Sequence, residues 1–542
     1  MSSLPKSAKS ASSPAYAVGF QNAVEQRDPI PLRIKGRIPP WLQGQLYRTG
    51  PGTFSIPTSN APGAPTVNLA HWFDGLGMTH RFEITPDGNV MYRNHSTAKG
   101  IEARIAKAGA VPGISFGDQD PCESIFSKFF TMFKPNPERI PSPGKCAPDE
   151  VNISVTLTPD MPGFTSHHSL PSPSSLPVST PKYIVAKTDS STLQILDPET
   201  LKPLHATSYA ELDPRLDGSI GAAHSCRDKV TGEFFNFSLK LGARPAYKVF
   251  RVKPKAMEAG EGKDFEVDIL AEINDAPAAY LHSVMMTAKY VILCVWQADY
   301  GYLAASLTKW NPNRDALFYV IDRKNGGVVS KFKTPPFFCF HALNAYDSDN
   351  SDDVVVDLSV YPDHSVIDTL YVNRIKNFSA VDSNWMSFAR RFVLEGVTAP
   401  GKGNGAPRDA KVEWTAPSSI ELPTIHPALY HKPYRFAYGI NKDPKIPDTF
   451  IDRLVKFDTH NPSAEPIVWG APGYTPGEPI FVPKPTEQAE DDGVVLSVVL
   501  DGATQKSMLV VLDAKDMTEV ARAEMDTHFP FGFHGVWNMA SL

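Results

Sequence analysis

Cysteine is scarce in this sequence: Cys122, Cys146, Cys226, Cys294 and Cys339 are the only five among 542 residues. Their number is odd and no Cys-x-x-Cys pair occurs, which fits a reducing compartment better than a disulfide framework. A cytoplasmic location is therefore expected, and a sequon such as Asn152-Ile153-Ser154 carries no glycosylation meaning there. Long apolar runs are also lacking. No stretch approaches the roughly 18 residues of a spanning helix, so no integral membrane segment is expected. Neither sign of charge dominates: 53 basic and 59 acidic residues are interspersed, for a net charge of −6. Without a basic stripe, nucleic acid is excluded as a partner. Residues 1–16 are rich in Ser, Ala and Lys but contain no apolar signal-peptide core. They are expected to form a disordered leader ahead of one domain spanning 17–542.

What is abundant is chain punctuation. With 50 prolines and 36 glycines spread throughout, long helices are interrupted, whereas short strands between turns are allowed. Apolar or alternating runs predict strands at 182–186, 247–253, 290–296, 317–322, 354–360, 494–500 and 507–512. The last two form a hairpin around the Asp501-Gly502 turn signal. A helix is predicted near 101–108 and an aromatic one near 122–133, while 169–181 and 399–407 read as loops. The chain is thus all-β, as a sandwich, a barrel or a propeller. A propeller best accommodates one domain of this length, although no sequence repeat marks its blades.

Most of the 15 histidines read as packing or surface residues. His167, His168, His426, His431 and His460 fall in loops or beside prolines, and His71 and His80 flank a glycine-containing turn. Four others differ. His224 follows Gly221-Ala-Ala, His282 lies in Tyr280-Leu-His-Ser, His341 follows Pro335-Pro-Phe-Phe-Cys-Phe, and His534 lies in Phe531-Gly-Phe-His-Gly. They are separated by 58, 59 and 193 residues, the last close to three times the others. A blade-length period would put one histidine at an equivalent point of several inner strands, and such points converge on the axis. Four neutral imidazoles there would suit Fe, Cu, Ni or Zn. Iron(II) is favoured over tetrahedral zinc, because only a six-coordinate ion keeps two positions open beyond four protein ligands.

The histidines stand among motifs that resemble the carotenoid cleavage oxygenase family. Those motifs are Gly44-Gln-Leu-Tyr-Arg-Thr-Gly-Pro-Gly52, His71-Trp-Phe-Asp-Gly, Leu196-Asp-Pro-Glu-Thr-Leu201 and His341-Ala-Leu-Asn-Ala-Tyr346. Further along come Glu421-Leu-Pro-Thr-Ile-His-Pro, Pro433-Tyr-Arg-Phe-Ala-Tyr-Gly439, Glu478-Pro-Ile-Phe-Val-Pro483 and Glu490-Asp-Asp-Gly-Val-Val-Leu-Ser-Val-Val499. The resemblance runs over nearly the whole chain and is greatest toward fungal members acting on torulene and related carotenoids. It implies a seven-bladed β-propeller, a helical and loop cap that includes about 100–145 and builds a substrate tunnel, and Fe(2+) held by His224, His282, His341 and His534. It also implies that Asp189, Glu421 and Glu478 accept hydrogen bonds from His282, His341 and His534 respectively. In the family the first of these acids is usually glutamate. Asp189 is one methylene shorter, so its bond to His282 is expected to be longer or relayed by water.

The activity implied is cleavage of a conjugated C=C bond of a carotenoid or apocarotenoid by O2, giving aldehydes. The alternative is cleavage of phenolic aryl alkenes such as stilbenes or propenyl phenols, and a third reading is a retinoid isomerase. Stilbene-cleaving relatives carry a lysine immediately before the first supporting acid. Here Thr188 stands in that place and Lys187 one residue earlier, pointing to the other face of an extended strand. That favours the carotenoid. A propeller that only binds partners would have no use for four axial histidines. Finally, the segment carrying Cys122, Phe126, Phe129, Phe130 and Phe133 resembles the patch through which animal members touch a bilayer, so peripheral membrane contact is expected there, with a packed cap helix as the alternative.

Overall fold

The computed structural model describes residues 14–111, 146–164, 180–255, 264–300, 307–378, 386–399, 405–446 and 449–539. Its strands follow the apolar runs. Every residue of Tyr290–Val295 is buried, as are all but the ends of Gly493–Asp501, because each sheet packs a neighbour on both faces. The hairpin predicted at Asp501-Gly502 pairs Asp501 with Lys506. Asp501 Oδ1 accepts the Ala503 N–H at 2.9 Å, which ties off the loop. Outer strands such as Lys411–Ser419 are largely exposed and polar, which suits edges that meet water.

Among the described residues these strands form seven sheets of four to six strands and one small hairpin. The sheets are the blades of a propeller. From blade one to blade seven the strands nearest the axis are Gly535–Met539, Thr156–Pro159, Cys226–Arg227, Met285–Met286, Phe338–Asp347, Glu421–Ile425 and Ile480–Pro483. The ring is closed twice by chain ends. Gly535–Met539 pairs with Gly44–Thr53 in blade one, and Arg33–Gly36 pairs with Glu519–Glu524 on the rim of blade seven.

The helix predicted near 101–108 is present as Lys99–Ala108 and ends at Gly109 in the left-handed conformation, φ 67°. Its Ile101 and Ile105 pack on Ile56 and Leu69. The expected disordered leader overruns the folded boundary: Ala15–Phe20 is a 3-10 helix with Tyr16 and Phe20 buried. Tyr16 Oη donates to Ile375 O at 2.8 Å, and Phe20 packs its ring 5.1 Å from Phe531 and 5.8 Å from Phe54. The apolar stretch Ala15–Phe20, directly after the Ser- and Lys-rich start of the chain, is held in place by these two aromatics. The segment with Cys122, Phe126, Phe129, Phe130 and Phe133, and the helix predicted over it, lie outside the described residues, as do 165–179 and 400–404. Among the described residues no helix is long and apolar enough to cross a membrane, and all four described cysteines are free thiols.

His71 and His80 lie in packing positions. His71 Nδ1 accepts the Phe73 N–H at 3.1 Å, and His80 sits 4.0 Å from the Phe529 ring with Nδ1 2.9 Å from Tyr92 Oη. Burial lowers His71 to about 4 and His80 to about 3. Below pH 6.5 the unfolded chain takes up protons that these folded rings refuse, so stability should fall as pH drops from 6.5 toward 4, by up to about 1.4 kcal/mol per unit for each ring. Calorimetry between pH 7.5 and 5 checks this, and a flat melting temperature would refute it.

Candidate metal centre

The four singled-out histidines meet on the axis. His224 precedes the inner strand of blade three, His282 that of blade four, His341 lies within that of blade five, and His534 directly precedes that of blade one. Backbone hydrogen bonds from His224 N to His282 O, 3.0 Å, and from Val284 N to His224 O, 3.1 Å, lock the first two together. A Cβ at Gly221 would lie 3.0 Å from the Tyr209 ring and 3.1 Å from Phe237 O, so the turn entering His224 is closely packed at this glycine. Four ring nitrogens, one from each histidine, all lie within 4.8 Å of one another. Nε2 of His534 is 2.9 Å from that of His224 and 3.2 Å from that of His341.

Three carboxylates fix the orientation of these rings. His282 Nδ1 donates to Asp189 Oδ2 at 3.0 Å, His341 Nδ1 to Glu421 Oε2 at 2.5 Å, and His534 Nδ1 to Glu478 Oε1 at 2.7 Å. With the proton on Nδ1, each Nε2 presents a lone pair to the axis. Burial, followed by the neighbouring histidines, holds His224 well below its ordinary value, so it too is neutral. Facing lone pairs at about 3 Å repel unless a cation lies between them. Two metal–nitrogen bonds of about 2.1 Å at right angles would place their nitrogens about 3 Å apart. The donor set therefore fits one metal ion.

The Asp189 contact is direct and is the longest of the three, which is the longer of the two expected forms and not the water-relayed one. The turn carrying Asp189 is drawn against the strand entry of His224: Gly221 N donates to Asp189 O at 3.2 Å and Ala223 N to its Oδ1 at 3.2 Å. The backbone supplies the reach that the missing methylene would have given. Glu421 is aimed by strain of another kind, because Leu422 after it sits at φ 47°, a left-handed conformation costly for leucine.

Sequence reading missed the residues behind the acids. Tyr280 Oη donates to Asp189 at 2.8 Å, Tyr361 Oη to Glu421 at 2.7 Å, and Arg48 Nη1 to Glu478 at 2.6 Å. Tyr280 was detectable, since it lies two positions before His282 and so shares its face in an extended segment. For Glu421, burial alone would raise the carboxyl, but the bonds from His341 and Tyr361 outweigh it and hold it below the usual range. Against the same burial, His534 and Arg48 hold Glu478 down.

Two cavities meet at this centre. One, of about 100 Å³, is walled by Trp72, Phe73, Phe340, Phe450 and Phe533 and includes Thr188. The other, of about 770 Å³, runs along the axis on the far side of His224 and includes Lys187. Adjacent residues of one strand end thus face different compartments. Lys187 Nζ donates to Ala223 O at 3.1 Å and to Ser225 Oγ, and burial pushes its ammonium down to about 7.

A seven-bladed propeller whose axis carries four histidines backed by three carboxylates is a single-metal propeller, with an aromatic cavity against the metal position. The chain belongs to the retinal pigment epithelial membrane protein family, the carotenoid cleavage oxygenases, whose pattern matches residues 19–539. It is 34% identical to the torulene dioxygenase of Gibberella fujikuroi, over 95% of this chain and 92% of that protein. Identity to the carotenoid dioxygenase of Neurospora crassa is also 34%, over 95% and 90%. The human mitochondrial carotenoid-cleaving dioxygenase is 26% identical, over 94% and 88%. Among solved structures, a point mutant of the Synechocystis apocarotenoid oxygenase shares the fold with a TM-score of 0.73 and 21% identity, over 97% of this chain and 98% of that one.

Proposed function

We propose that His224, His282, His341 and His534 hold iron(II) and that the chain is a dioxygenase cleaving a C=C bond of a carotenoid or apocarotenoid into two aldehydes. One observation carries this reading: four axial imidazole nitrogens converge at the end of a cavity walled by aromatic rings. Bound iron(II) supplies the electron chemistry that lets triplet O2 react with a closed-shell alkene. The protein does the rest by placement. Asp189, Glu421 and Glu478 orient the rings and raise their basicity. Trp72, Phe73, Phe340, Phe450 and Phe533 exclude water and hold a short stretch of conjugated chain, as a cavity of about this size holds a few carbons. No side chain need move a proton, so depth of insertion along the apolar walls decides which bond is cut.

The phenolic reading is disfavoured on two counts. The lysine that would meet a phenol is turned into the axial cavity, and the hydroxyls of Tyr280 and Tyr361 are committed to Asp189 and Glu421. The torulene and carotenoid dioxygenases among its relatives point the same way. Incubation under air with torulene, β-carotene, resveratrol, isoeugenol and a retinyl ester, with and without ferrous ion, tests the proposal. Aldehydes should form from the polyenes alone and depend on iron. Cleavage confined to resveratrol or isoeugenol, or isomerised retinol without cleavage, would overturn it.

A further inference from the structure

The three acids of the metal centre are alike in one respect and unlike in another. Each is surrounded by donors only. Asp189 accepts from His282, Tyr280 and the Ala223 N–H. Glu421 accepts from His341, Tyr361 and the Leu422 N–H. Glu478 accepts from His534, Arg48 and the Gly535 N–H. A carboxyl ringed by donors is a carboxylate, so all three are charged. Among the described residues only Glu478 meets a cation. Arg48 is 1% exposed, and besides its 2.6 Å ion pair it donates to Glu478 O and Phe533 O, each at 3.3 Å. The chain makes room for it. Gly535 pairs with Arg48 across the sheet, and a Cβ there would lie 2.5 Å from Arg48 Cδ. This gives a role to Arg48 of the Gly44–Gly52 motif and to Gly535 after His534, which the metal ligands alone leave unexplained.

Three carboxylates and one guanidinium leave the buried shell with a fixed charge of −2. We propose that Arg48 is a positioning residue that matches this shell to a divalent ion, stabilising ferrous over ferric iron. Uncompensated charge is costly in a buried site. A shell of −2 is neutralised by a divalent ion, whereas a shell of −3, as it would be without Arg48, favours a trivalent one. Lys187 touches none of the three carboxylates, its Nζ being committed to Ala223 and Ser225; its charge acts on His224, but equally in every variant below, none of which touches it. The proposal rests on the iron reading above.

The test is a redox titration of the iron-loaded protein, in which the bound ferrous ion gives one electron to ferricyanide and the ferric form is read by electron paramagnetic resonance. Arg48→Lys keeps the charge and should stay within about threefold of the wild-type ferric-to-ferrous ratio at the wild-type midpoint. Arg48→Met should raise that ratio at least tenfold, about 59 mV for one electron. Glu478→Gln should lower it at least tenfold, and the double variant Arg48→Met/Glu478→Gln, again at −2, should return it to within about threefold. If Arg48→Met does not fold, the double variant compared with Glu478→Gln isolates the same charge. A double variant indistinguishable from Glu478→Gln, or ratios that move in one direction in every variant, overturn the role of Arg48. A wild-type protein that takes up no iron after anaerobic loading refutes instead the reading on which the proposal rests.

Discussion

Replacing His282 by alanine is expected to yield a folded propeller that no longer retains iron and cleaves its polyene more than about 100-fold slower, beyond the 10- to 100-fold typical of losing an outer-shell partner. His282 is 5% exposed, its Nδ1 is bound to Asp189, and its remaining nitrogen joins the axial cluster. The inner strand of blade four is held by backbone bonds that the substitution leaves alone. His341→Ala and His534→Ala should behave in the same way. Asp189→Asn and Glu421→Gln should fall in the 10- to 100-fold range, because the ring stays but its orientation loosens. His71→Gln and His80→Gln should leave iron content unchanged. Metal analysis after anaerobic loading, beside product formation, separates the three groups. Full iron retention by His282→Ala would remove the basis of the proposed centre.

The strands legible in the sequence are those whose local pattern is unambiguous. The predicted 494–500 and 507–512 are found within Gly493–Asp501 and Lys506–Asp513, and 317–322 within Ala316–Asp322, because valine-rich runs beside a turn residue leave little choice. The inner strands were not legible. Cys226–Arg227 and Met285–Met286 are two residues long, and no periodicity survives at that length. Nor does local sequence say that Arg33–Gly36 will pair with a strand some 490 residues away. The spacing of the histidines was informative for a reason visible only in three dimensions. Between His341 and His534 the axis passes blades six and seven, and at the corresponding points stand Glu421 and Glu478. The long gap therefore spans two further blades, in steps of 80, 57 and 56 residues, whose inner strands begin at or just after a supporting acid instead of a ligand histidine. Arg48 was hidden because an arginine in a buried strand has no pattern of its own, and its meaning depends on a carboxylate 430 positions away.

Asp357→Ala is expected to cost about 3–5 kcal/mol, the range for breaking one side of a buried ion pair. Asp357 is fully buried in Val354–Tyr361 and faces Arg391 across the sheet of blade five. The guanidinium meets both carboxylate oxygens, Nε to Oδ1 and Nη2 to Oδ2, each at 2.8 Å, and Tyr434 of blade six adds a bond of 2.8 Å. Arg391 also stacks on Trp414 at 4.9 Å. With the carboxylate gone, its nearest remaining anion is the half-exposed Glu413 at 3.7 Å, which cannot replace a bidentate buried partner. The penalty comes from the stranded charge more than from the lost attraction. The double variant Asp357→Leu/Arg391→Met, which fills the space without charge, should therefore be more stable than Asp357→Ala and recover much of the loss. Denaturant midpoints at constant slope measure this. Iron content of the folded fraction should not change, because Asp357 contacts neither the histidines nor their carboxylates among the described hydrogen bonds. Additive losses in the double variant would show that the pair contributes through packing alone and that the stranded charge is not what destabilises the single variant.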